Sequence, residues 1–254
     1  MRLATLWATL LTASVAMLHT ANAAQPEPAR SLVPTSQPIS PAAEANLAEF
    51  ERRLAAVDMK MAAVTDLRAN FEQRKKTAML KKPLISRGSL FCKGELVLWK
   101  TTSPRRTDML VASDKVTIYY PADQLAEVYA LGSRFQDATG GPLPRLSKLR
   151  ESFELTELDA AVMAKDLAAN DSTDRVALTL TPKSDELKKH VASIRVLIDV
   201  TVPCADRVVI VDPDGEETEL RFTAVKTNTG LKDTELDLNL PAGTKISTPV
   251  EPAK

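Results

Sequence analysis

Side chains able to do acid–base, nucleophilic or metal chemistry are sparse in this 254-residue chain, which holds two His and two Cys. His19 lies in an N-terminal apolar run, and His190 sits alone in the polar stretch 185-DELKKH-190, with no identifiable partners for a Ser-His-Asp triad. Cys92 and Cys204 are distant in sequence and form no CxxC pair. With one His outside the apolar run they make neither a zinc set nor an HExxH site. An exported chain with two Cys allows one disulfide, and a buried thiol on a strand is an equal alternative. The eight Gly form no GxGxxG or phosphate loop. The acidic run Asp212, Asp214, Glu216, Glu217 and Glu219 is dense enough to consider as a calcium loop. It places too few oxygens before its Gly, however, and Asp-Gly between two β runs reads as a hairpin turn. The chain is therefore expected to be no enzyme and to carry no cofactor or metal.

Charge narrows the partner. The chain has 33 basic and 33 acidic residues, whereas a nucleic-acid binder concentrates positive charge to displace counterions. The short patches 74-RKK-76 and 81-KK-82 read as a solvated hairpin rim, so no nucleic acid is expected. The remaining function classes are binding and carrying.

The elements that would position such a function follow from periodicity. Leu3 to Leu18 is a short apolar run behind Arg2, and 21-ANAAQ-25 offers small residues for a signal peptidase, so 1–23 reads as a cleaved signal. Residues 24–41 are Pro- and Ser-rich, an extended leader. Leu47, Phe50, Leu54, Val57 and Met61 then recur at three- and four-residue steps, one stripe of a helix from about Pro41 to Ala63. From Asp66 the period becomes two, with Leu67, Ala69, Phe71 and Gln73 on one face of a strand over 66–76.

Further strands are predicted over 88–92, 95–101, 107–112, 115–120, 126–131, 175–182, 193–200 and 235–241, with a hairpin over 207–222 closed at Asp212 to Gly215. A short amphipathic helix is predicted over 142–153. The stretch 154–171 reads as a strand and then a helix, or as neither. The sum is one α+β domain over 42–247 with about ten antiparallel strands, followed by a tail over 248–254. A sheet that large tends to curl and expose a concave face that needs cover.

The order of these pieces, with 67-LRANFEQ-73, 88-GSLFCKGELVLWKTTSP-104, 114-DKVTIYYP-121, 178-LTLTPK-183, 192-ASIRVLID-199, 220-LRFTAVKTN-228 and 236-LDLNLPAGTKI-246, resembles the periplasmic outer-membrane lipoprotein carrier family, LolA. The resemblance implies a strongly curved antiparallel β-sheet, an incomplete β-barrel covered by α-helices over a hydrophobic cavity. It further implies a periplasmic monomer that takes acylated lipoproteins from an inner-membrane releasing complex to an outer-membrane receptor, with only transient membrane contact. A carrier of another acylated lipid, glycolipid or pigment, and an envelope scaffold that senses lipoproteins, are the alternatives.

Cavity-lining candidates are Phe71, Leu90, Leu98, Leu110, Ile118, Tyr120, Leu146, Leu149, Val196 and Ile198, although alternation does not tell which face is concave. Trp99 is expected to be a packing anchor at the rim. Family members place an Arg-Pro on the early strand to latch the helical lid. Here that place reads 92-CKGE-95, so Lys93 is the latch candidate, offering a point charge in place of a fork.

Overall fold

The structure, a computed structural model, describes residues 41–112, 114–130, 146–165, 174–202 and 204–248. The expected signal, nearly all of the leader, and the tail beyond residue 248 lie outside the described residues. Four helices are used below: α1 (Pro41–Ala62), α2 (Leu146–Ser152), α3 (Ala160–Ala164) and α4 (Asp185–Lys188). The strands are β1 (Asp66–Lys76), β2 (Leu84–Lys93), β3 (Leu96–Ser103), β4 (Thr107–Val111), β5 (Lys115–Tyr120), β6 (Leu125–Ala130), β7 (Phe153–Leu158), β8 (Arg175–Pro182), β9 (Ser193–Asp199), β10 (Cys204–Val211), β11 (Glu217–Thr227) and β12 (Lys245–Ser247).

Among the described residues the twelve strands form one sheet in the order β12-β6-β5-β4-β3-β2-β1-β11-β10-β9-β8-β7, with no pairing between β12 and β7. The sheet is curved and unclosed. Every pairing is antiparallel except β12 on β6, which is parallel. The long β1 sits at the centre, matched to β2 from Asp66↔Lys93 to Lys75↔Leu84 and to β11 from Leu67↔Thr227 to Lys76↔Glu217. Because side chains alternate along each strand, the sheet has two chemically distinct faces.

The concave face and α1 share one apolar cluster. From α1 it takes Phe50, Leu54, Val57 and Met61, the predicted stripe without Leu47, which is exposed. The sheet adds residues from β1 to β5 and from β7 to β11. The outer face is covered in two places. On one side α3, whose first turn is capped by Asp159 accepting from the Ala161 N–H, packs Met163 on Ala177, Leu197 and Val209. On the other, the C-terminal segment lays Leu231 and Leu236 over Leu98.

Two predicted features differ. The expected strand over 235–241 is a 3-10 turn at Asp233–Leu236 followed by unpaired chain. Its apolar alternation is real, but Asn239 takes a left-handed φ of 47° and Leu236 is buried from a turn, so burial there needs no ladder. At the end of the domain, where no strand is predicted, lies β12, whose Lys245–Ser247 pair with Leu125–Glu127. The stretch that allowed two readings is a strand, β7, and then the short helix α3. The Asp-Gly turn is present. Gly215 adopts a φ of 80°, its N–H donates to the Asp212 carbonyl, and the Asp212 carboxylate accepts from the N–H groups of Asp214 and Glu216.

Candidate functional site: the concave face and its helical cover

The floor of the site is mostly apolar. Phe71, Leu90, Ile118, Val196 and Ile198 are buried on the concave face, in one cluster with Leu146 of α2, and Tyr120 and Leu149 pack against it. Trp99 stands on the same face, edge-on to Phe71 at 4.9 Å between ring centroids and tilted against Phe222 at 6.1 Å. Leu98 and Leu110 are corrections. They face each other across β3 and β4, but on the outer side, where Leu98 is buried under Leu231 and Leu236 with Leu110 packed beside it. Their neighbours Val97, Met109 and Val111 hold the concave positions.

Two helices cover this floor and are tied together by polar groups. Asp58 of α1 reaches the first turn of α2: its Oδ1 accepts from the Leu146 N–H at 2.7 Å and its Oδ2 from the Ser147 N–H at 2.9 Å. Both are orphan donors of a helix start, so Asp58 caps α2 from another element. Arg150 of α2 pairs with Glu51 of α1 at 2.6 Å, and Lys183 donates to the Arg150 carbonyl at 2.5 Å. Lys60 and Arg53 fix α1 to the sheet by donating to the carbonyls of Val200 and Arg175. The lid latch assigned to Lys93 is a further correction. Its ammonium lies 2.7 Å from Asp233, at the start of the 3-10 turn of the outer C-terminal segment, and not on α1 or α2. Sequence reasoning missed Asp58 because its partner lies 88 residues away, with no local signal.

One polar spot interrupts the apolar floor. On β6, Glu127 faces Ile118 across the ladder, and its Oε2 accepts from the hydroxyls of Tyr120 at 3.3 Å and Tyr129 at 2.8 Å. Burial, then the charge of Glu127, push the Tyr120 hydroxyl up to about 12. Cys92 and Cys204 are buried free thiols in the concave cluster. Burial pushes Cys92 up to about 12 and, helped by the nearby Cys92, raises Cys204 as well. His190 follows α4 with its side chain 14% exposed, Nε2 lying 3.9 Å from Glu186. Among the described residues no three His, Cys, Asp or Glu side chains are placed to share a metal ion. The arrangement offers a wide apolar surface.

Among solved structures, an uncharacterised conserved protein from Thermus thermophilus is similar at a TM-score of 0.50 and 12% identity, covering 79% of this chain and 99% of that one. Also similar are the lipoprotein LppX of Mycobacterium tuberculosis, at 0.44 and 12% over 73% of this chain and 98% of its own, and a LolA superfamily protein from Nitrosomonas europaea, at 0.38 and 11% over 74% and 96%. No curated protein matches the chain. The family model described as outer membrane lipoprotein carrier protein LolA matches residues 62–237, well over half of the chain, and the chain belongs to that family.

Proposed function

We propose that the protein is a monomeric periplasmic carrier. It takes the acyl chains of lipoproteins between the concave face and the helices α1 and α2, moves them from the inner to the outer membrane, and works with a releasing complex at one end and a receptor at the other. The observation that carries the reading is the largely apolar floor, broken by the one polar spot at Glu127, under helices held by a few polar ties. Each acyl CH₂ placed there contributes about 0.8 kcal/mol, enough for a strong hold with no catalytic group. Phe71, Leu90, Ile118, Val196 and Ile198 would line the site from the sheet, with Tyr120 at its polar spot and Leu146 and Leu149 above.

Native mass spectrometry of the mature protein, isolated gently from periplasm, tests this. Bound acylated peptide or protein is expected, and Ile118→Asp, which puts a charge in the floor, should abolish it. A bound free lipid or pigment would replace the cargo. An empty protein that also ignores added triacylated peptide would refute acyl carriage.

A further inference from the structure

We propose that the outward face of the central strands is a docking groove for an extended, acidic protein segment. Three carboxylates there are each shared by two cations. Glu72 lies 2.6 Å from Arg74 and 2.7 Å from Arg87. Glu219 lies 2.6 Å from Arg207 and 2.7 Å from Arg221. Glu217 lies 3.3 Å from Lys76 and 2.8 Å from Arg195.

The three triads are one patch, because strand pairing sets Arg74 beside Glu219, Lys76 beside Glu217, Glu72 beside both Arg221 and Arg87, and Arg207 beside Arg221. Six cations against three carboxylates leave a surplus of three positive charges on a chain whose formal net charge is zero. Bordering pairs, Arg175–Asp206 and Arg68–Glu235, are each balanced.

The shape selects the partner. The patch runs between α3 on one side and the C-terminal segment on the other, and its floor is recessed: Glu219, Arg207 and Arg221 side chains are 12%, 17% and 18% exposed. It holds a cavity of about 600 Å³ whose charged lining is Arg87 and Arg221 with Glu72 and Asp206, the last paired to Arg175, beside Asn70 and Ser89. Beside it lies another of about 170 Å³ where Arg74, Lys76, Arg195 and Arg207 outnumber Glu217 and Glu219. A flat anionic membrane cannot reach such a floor, whereas carboxylates on a single extended chain can. Arg195 presents its Nη2 to Glu217 at 2.8 Å, and its side chain is 37% exposed and open to an incoming carboxylate. This face lies opposite the proposed cargo face, so its test does not depend on the cargo reading.

The probe is a rhodamine-labelled decapeptide alternating Glu and Ser, with a Gln-Ser peptide as the neutral control, measured by anisotropy on the full chain at low ionic strength. Lys76→Gln/Arg87→Gln removes one cation from each of two triads and leaves every carboxylate paired, so the fold is retained. It should weaken acidic-peptide binding about tenfold, and Lys76→Glu/Arg87→Glu should weaken it further, each with a shallower salt dependence. Lys188→Gln/Lys189→Gln, on α4, should change nothing. The proposal is overturned if the wild type does not prefer the acidic peptide, if the α4 variant loses as much as the others, or if vesicles of phosphatidylglycerol bind through these residues while the peptide does not.

Discussion

Replacing Asp58 by Ala removes both acceptors that α1 offers to the start of α2, 2.7 and 2.9 Å from the N–H groups of Leu146 and Ser147. Loss of a cap costs about 1–2 kcal/mol, and these two bonds are charge-assisted, which favours the upper end. The second tie, Arg150 to Glu51, is shorter at 2.6 Å, but its side chains are 40% and 46% exposed. Solvent screening and side-chain entropy leave such a pair about 0.5 kcal/mol or less. Asp58→Ala should therefore open α2 locally about 5- to 30-fold more often, and Arg150→Ala about twofold. Amide exchange followed by mass spectrometry over residues 146–152 reads this directly, with peptides from β1 and β11 as the global reference. Asp58→Asn keeps one neutral acceptor and should fall between. If exchange in α2 does not respond to Asp58→Ala, or responds equally to Arg150→Ala, the polar cap is not what holds this helix down. If β1 and β11 lose protection to the same degree, Asp58 supports the whole domain and not its cover.

Gly88→Ala should cost about 3 kcal/mol or more in urea unfolding, because a Cβ there would lie 2.0 Å from the Lys100 carbonyl oxygen of the paired strand; a loss under about 1 kcal/mol would mean that β2 and β3 separate without penalty. Glu219→Gln leaves Arg207 and Arg221, directly opposite each other, without their shared carboxylate, and should cost about 2–4 kcal/mol in chemical denaturation; an unchanged midpoint would show that solvent already screens the pair. Asp66 is buried, which alone would raise its pKa, but Thr229, Gly230 and Leu231 donate to it and hold it below the usual range. A depressed carboxyl stabilises the fold above its unfolded pKa of about 3.9 and loses that contribution as pH falls through its lower folded value, so Asp66→Asn should flatten the acid limb of stability, and an unaltered acid limb would remove Asp66 as its source. Cys92 and Cys204, buried and with raised pKa values, should resist a thiol reagent at pH 8 until urea unfolds the chain; rapid labelling of the folded protein would show that the core opens.

Strands whose two faces differ were legible almost to the residue. The ranges 66–76, 115–120 and 175–182 reappear as β1, β5 and β8 because apolar residues recur at every second position along each. Faces were not legible in β3 and β4. Leu96, Leu98 and Leu110 alternate there with Val97, Trp99, Met109 and Val111, so both sides are apolar, and only the C-terminal segment, more than a hundred residues on, makes the outer set a covered surface. The same long-range cause hid the run at 235–241, whose Leu236 and Leu238 belong to that cover and not to a ladder. β12 was illegible for another reason. Three residues carry no period, and their pairing to β6 uses the backbone, including the Lys245 N–H to the Gln124 carbonyl. Ties between elements, Asp58 to α2 and Lys93 to Asp233, are set by which surfaces the topology brings together, and composition does not encode that.

The magnitudes also distinguish the two covering helices. Burying an apolar side chain contributes about 1.5–3 kcal/mol, so the four that α1 places in the core hold it by about 6–12 kcal/mol before its ties to Val200 and Arg175 are counted. α2 is seven residues long and buries Leu146 fully and Leu149 in part; with its cap, its attachment is about 4–6 kcal/mol. An acyl chain gains about 0.8 kcal/mol per CH₂, so five to eight methylenes offset α2, while α1 needs most of a long chain. On the carrier reading, cargo displaces α2 and leaves α1 seated. A short acyl probe should then raise exchange over residues 146–152 without exposing Phe50, Leu54 or Val57. Simultaneous loss of protection in both helices on binding would contradict this ranking, and would mean that the cover moves as one body.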